Sequence, residues 1–136
     1  MKKLLSTDYS VTSFNLATLI LRCTYGFLIL FNHGIPKLTK FAQMQSGFYD
    51  PFGIGSRWAL IMVIFAEVFC AILVVFGLFT RVAVIPLIVM LCVVIFMAHK
   101  GDPISKLEPA LLFLAAFLTI FFAGPGRLSV DGLIGR

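Results

Sequence analysis

The sequence predicts an all-α integral membrane protein, an antiparallel four-helix bundle, and three observations carry that expectation. Four apolar runs, at residues 14–31, 58–76, 82–98 and 107–123, each approach or reach the length that crosses a hydrocarbon core of about 30 Å. The chain is 60% hydrophobic and only 12% charged, about half the charged share of a soluble domain. Two of the runs carry a full charge deep within them, Arg22 in the first and Glu67 in the second. A charge at the centre of a spanning helix costs about 2.5–3.5 kcal/mol on insertion scales, so both side chains should face the bundle interior and have a partner.

The amino end, Met1-Lys2-Lys3-Leu4-Leu5-Ser6, begins like a signal peptide, but a polar stretch separates the lysines from the apolar run. That run ends at Asn32-His33-Gly34-Ile35-Pro36 without a small-x-small cleavage site, which predicts a retained transmembrane helix. Residues 36–56 then form an interfacial segment. Its first part, through Met44, has the composition of a short amphipathic helix, and Phe48-Tyr49-Asp50-Pro51-Phe52-Gly53 reads as a loop with aromatic anchors.

Trp58 opens the second helix at a lipid–water boundary. Gly77-Leu78-Phe79-Thr80-Arg81 makes a tight reversal into the third, where Pro86 is expected in the first turn and its missing N–H is tolerated. A polar connection, His99-Lys100-Gly101-Asp102-Pro103, leads to the fourth helix. That helix stops at Gly124-Pro125-Gly126 and is followed by a short amphipathic tail, residues 127–136. The whole chain, 1–136, reads as one domain with both termini on one side, called side A here, opposite side B.

The net charge of +5 does not indicate nucleic acid. The basic residues lie between the apolar runs, where they suit anionic lipid headgroups. Lys and Arg divide equally, with Lys2, Lys3, Arg81, Arg127 and Arg136 on side A against Lys37, Lys40, Arg57, Lys100 and Lys106 on side B. The positive-inside rule therefore does not orient the bundle. Cys23, Cys70 and Cys92 fall singly in three different runs with no CxxC pair, which predicts small packing residues and no dithiol centre.

Helical spacing places Asn15, Thr18, Arg22, Tyr25, Ile29 and Asn32 on one face of the first helix. Val63, Glu67, Cys70, Val74 and Gly77 share a face of the second, and Glu108, Leu112, Ala115, Thr119 and Phe122 a face of the fourth. Counted from side A at 1.5 Å per residue, Arg22 lies roughly 13 Å deep and Glu67 roughly 15 Å. Equal depth predicts an Arg22–Glu67 ion pair, with Tyr25 beside it, as a buried polar centre. Such a pair either fixes helix register or forms a functional centre.

A second polar group is expected at the side-B ends: His33, Lys37, His99 and Glu108, with Trp58 and Asp102 nearby, as a ligand-facing rim. No metal site is predicted, because none of these residues has metal-type spacing. Lys37 and Trp58 read equally well as interfacial anchors.

These blocks resemble the DoxX family of small bacterial inner-membrane proteins. The resemblance runs through Leu21-Arg22, Gly26 and His33-Gly34-Ile35-Pro36-Lys37, then Glu67, Gly77-Leu78-Phe79-Thr80-Arg81 and Glu108, to the closing Gly124-Pro125-Gly126-Arg127-Leu128-Ser129-Val130-Asp131. It implies a multi-pass inner-membrane bundle associated with quinone- or thiol-linked redox systems, one branch supplying a membrane subunit to thiosulfate:quinone oxidoreductase. On that basis the chain is expected to be a small subunit or accessory of a redox or respiratory system, with a quinone or lipid in the bundle. Its partners would be other membrane or redox subunits, or copies of itself. The alternative is a non-catalytic anchor or assembly subunit. A proton-coupled transporter is disfavoured by the lack of an internal repeat.

Overall fold

The computed structural model describes residues 3–135, so Lys2 and Arg136, both assigned to side A, lie outside the described residues. Among the described residues, four helices are long and apolar enough to cross a bilayer: α1 (Val11–Thr39), α3 (Ser56–Phe76), α4 (Thr80–Ala98) and α5 (Ile104–Ala123). A single turn, α2 (Phe41–Met44), follows α1, and a short α6 (Val130–Ile134) closes the chain. The protein is a multi-pass membrane bundle.

The first helix does not stop at Phe31. Pro36 has no N–H to offer the Asn32 carbonyl, which should end an α-helix there. The chain instead widens into a π-helical turn at Leu30–Gly34, where the Ile35 N–H reaches the Leu30 carbonyl, and then continues to Thr39. The extra residue in that turn shifts the buried face by one position. Thr18, Arg22 and Ile29 are buried as the spacing requires, but Asn32 is exposed and Gly34 takes the interior place.

Two glycines let α1 approach α3 closely. A Cβ at Gly26 would meet the Val75 side chain at 2.5 Å, and one at Gly34 would meet the Glu67 carbonyl oxygen at 2.5 Å. Close approach matters because burying apolar surface from lipid gains little, and association rests on packing and polar contacts. The same contacts fix register, with Gly34 level with Glu67 and Gly26 level with 71–75.

The reversal between α3 and α4 follows from Gly77. With φ +72°, Gly77 donates to the Val74 carbonyl and Leu78 to the Leu73 carbonyl, the paired bonds of a Schellman end. Phe79 then takes φ +49°, uncommon without glycine, and α4 begins at Thr80. Because of that early start Pro86 lies inside α4, not in its first turn.

Interior packing centres on Cys70, Ala71 and Val74 of α3, Val84 and Leu87 of α4, and Phe117 and Ile120 of α5. The α5 face expected from the sequence is wrong: Glu108, Leu112, Ala115, Thr119 and Phe122 are all exposed, and Phe117 and Ile120 are buried instead, together with Ala116, which lies alongside the expected face. Thr119 faces outward without penalty because its hydroxyl donates to the Ala115 carbonyl at 2.7 Å.

Candidate functional site

The expected Arg22–Glu67 pair is not formed. Arg22 sits level with the side-A end of α3, and Glu67 with Gly34. Twelve residues of α1 separate those levels, about 18 Å at 1.5 Å per residue and beyond the reach of one guanidinium. Depth counted from each helix's own end misled because α1 starts at Val11, overhangs α3 on side A and is covered there by the tail.

Arg22 is only 1% exposed and hydrogen-bonds entirely to backbone. Its Nε donates to the Pro125 carbonyl at 3.0 Å, and Nη1 to the Val75 carbonyl at 2.9 Å and the Val74 carbonyl at 3.3 Å. Nη2 donates to the Leu128 carbonyl. Val75 ends a helix without a backbone donor for its carbonyl, and Val74 has only the Gly77 N–H, so a cation there satisfies hydrogen bonding and the helix dipole together.

The tail completes this clasp. Asp131, 6% exposed, accepts from the Phe79 N–H at 3.0 Å and from the Thr80 N–H and hydroxyl at 3.0 and 3.1 Å. It caps α4 from across the chain. Asn15 accepts from the Arg127 N–H at 2.9 Å, and Arg81 donates to the Phe121 and Phe122 carbonyls at the end of α5. Side A is therefore a lock built on backbone carbonyls, in which Arg22, Arg81 and Asp131 are engaged.

Glu67 instead pairs with Lys37, whose Nζ lies 2.8 Å from Oε1. Lys37 reaches this depth because α1 continues past Pro36, and Nζ also lies 3.4 Å from the His33 carbonyl. At 2.8 Å from Nζ the buried Oε1 makes an ion pair but no aligned hydrogen bond. The His33 ring turns toward α5, edge-on to Phe113 at 5.7 Å, and Tyr25 meets the same ring edge-on at 5.7 Å. The residues expected as one polar centre and one rim thus divide differently: Arg22 with the tail, Glu67 with Lys37, Tyr25 and His33 on Phe113.

His99 belongs to another place. A cavity of about 570 Å³ opens between α3 and α4 beneath the loop at 48–54. Its walls include Met62, Phe65 and Ala66 of α3 and Pro86, Val89 and Val93 of α4. Tyr49 and His99 supply the only polar side chains among its described lining. Asp50 shapes the roof by accepting from the Ile54 and Gly55 N–H groups at 3.1 and 2.7 Å.

A π-helical turn, Val94–Ala98, brings His99 to this cavity. The α4 lining runs 85, 86, 89, 90, 93 and 94, the period of an α-helix, then jumps to 98 and 99. A regular helix would present Met97 next. The His99 N–H bonds instead to the Val94 carbonyl, five residues back at 2.9 Å, and the wider turn swings His99 into line with Val94. Beyond it Gly101, at φ +86°, folds the chain so that the Asp102 carboxylate lies 2.9 Å from His99 Nδ1. Glu108 is exposed, and its place in the expected rim is taken by Asp102 at His99.

Among the described residues, no group of three or more His, Cys, Asp or Glu side chains gathers as for a metal ion. Cys23, Cys70 and Cys92 are free thiols. Chemically, the cavity offers an apolar slot sized for a ring headgroup and the start of a chain, with one imidazole and one phenol in its lining.

The model of the DoxX family matches residues 17–100, more than half of the chain. No curated protein and no solved structure matches.

Proposed function

The chain belongs to the DoxX family, and from that premise we propose that it is a small accessory subunit of a quinone-linked redox system in a bacterial inner membrane. In this reading the cavity between α3 and α4 holds the quinone. The observation that carries it is the cavity itself: about 570 Å³, lined by aliphatic and aromatic groups, with His99 and Tyr49 as the polar side chains of its described lining. A quinone matches that division, a small ring with hydrogen-bonding oxygens attached to an apolar tail. The tail would leave between two spans, and the ring would lie under the 48–54 loop near side B. The protein contributes binding and orientation, and electrons come and go through a partner subunit.

The test is to purify the protein from bacterial membranes in mild detergent and quantify quinone in the extracted lipid. Val89 is 55% exposed and lines the cavity, so Val89→Trp should fill the slot without disturbing the interior. Wild type should carry quinone, and Val89→Trp should lose at least about tenfold of it at an unchanged melting temperature, the effect of about 1.4 kcal/mol of binding. Equal quinone in both preparations would place any ligand elsewhere. A wild-type preparation that neither carries quinone nor gains stability from added quinone would favour the anchoring subunit.

A further inference from the structure

Resting on that quinone site, we infer that the cavity selects the reduced, hydroxyl-bearing headgroup, the quinol, because Asp102 leaves His99 with only an acceptor to present. A carboxylate is acceptor-only, so with Asp102 Oδ2 at 2.9 Å the Nδ1 atom of His99 must carry the hydrogen. A neutral imidazole has one N–H. Its other nitrogen, Nε2, then bears a lone pair, and it is the ring nitrogen left for a ligand.

The local backbone reinforces this choice. The Asp102 N–H donates to the His99 carbonyl at 3.0 Å, and the positive φ of Gly101 turns the chain back, so main chain and side chain hold the pair together. The π turn of α4 delivers the same histidine to the cavity wall. Tyr49, the other polar side chain there, can donate or accept by rotating its hydroxyl, so it does not discriminate. His99 does. A quinol O–H donates to the Nε2 lone pair, whereas a quinone carbonyl would set lone pair against lone pair. One net hydrogen bond supports about a tenfold preference for the quinol. Asp102 is in this sense a positioning residue, acting on the ligand through the tautomer of His99.

The experiment measures binding of decylubiquinone and of its anaerobically reduced quinol to the protein in nanodiscs, buffered at mildly alkaline pH. Val89→Trp subtracts binding outside the cavity. Wild type should bind the quinol about tenfold more tightly. In Asp102→Asn the side-chain amide can donate to Nδ1 and move the remaining proton to Nε2, so the ratio should fall to one or invert. His99→Phe should bind both forms without preference. A purely structural role for Asp102 would weaken both forms together and leave the ratio unchanged, which overturns the inference. Equal affinity of wild type for the two forms also overturns it while leaving the quinone site standing. Failure of either form to bind in a Val89-dependent way removes the site and the inference together.

Discussion

Replacing Arg22 with methionine tests the central feature of the bundle's side-A end. The substitution keeps most of the aliphatic volume and removes the guanidinium's hydrogen bonds to the Val74, Val75, Pro125 and Leu128 carbonyls. Pro125 and Leu128 belong to the tail and can find water at the interface once it loosens. Val74 still accepts from the Gly77 N–H, whereas the Val75 carbonyl ends α3 beside buried Gly77 and cannot hydrate without opening the bundle. One dry carbonyl predicts a loss of about 1–3 kcal/mol. The loss is partly offset because a guanidinium is no longer taken out of water, so values toward the lower end are expected. The assay is thermal or denaturant unfolding in detergent, paired with trypsin cleavage after Arg127, which is exposed but held through its N–H to Asn15. Arg22→Met should melt earlier and be cut faster at Arg127. Combined with Glu67→Gln the losses should add to within about 0.5 kcal/mol, because the two side chains share no partner. A coupling above about 1 kcal/mol, or an unchanged cleavage rate, would refute the clasp and restore a direct Arg22–Glu67 interaction.

Lys37 and Glu67 should behave in the opposite way. Lys37→Met or Glu67→Gln alone leaves one charge buried and should cost about 3–5 kcal/mol before neutralisation, while the double change should recover much of it in the same unfolding assay. Additive losses would mean the pair contributes nothing as a pair. Asp131→Ala removes the cap on Phe79 and Thr80 and should cost about 1–2 kcal/mol, with faster amide hydrogen exchange confined to the start of α4 and to α6. Exchange unchanged at Phe79 and Thr80 would show that the tail does not hold that turn.

Much of the fold was legible because it is written locally. Hydropathy over a span depends only on residues within that span, so the number of crossings and the Gly77 reversal could be read directly. Burial of Arg22 and Glu67 was legible for the same reason, since a charge at membrane depth has few places to go. The α5 face was misread because helical spacing groups residues without saying which group faces inward, and the bond of Thr119 to the Ala115 carbonyl satisfies it on the lipid side.

What only the tertiary structure decided is who partners whom. The partner of a buried charge depends on how far one helix slides along another, and that is set by non-local contacts: Gly26 and Gly34 against α3, and the tail lodged over Arg22. It depends also on the π turns, each of which adds a residue to one turn and rotates everything beyond it. At Leu30–Gly34 such a turn carries α1 through Pro36 and delivers Lys37 to Glu67, and at Val94–Ala98 another delivers His99 to the cavity. Local pattern fixes what must be buried. Register and phase, which belong to the packed bundle, fix where it meets its partner.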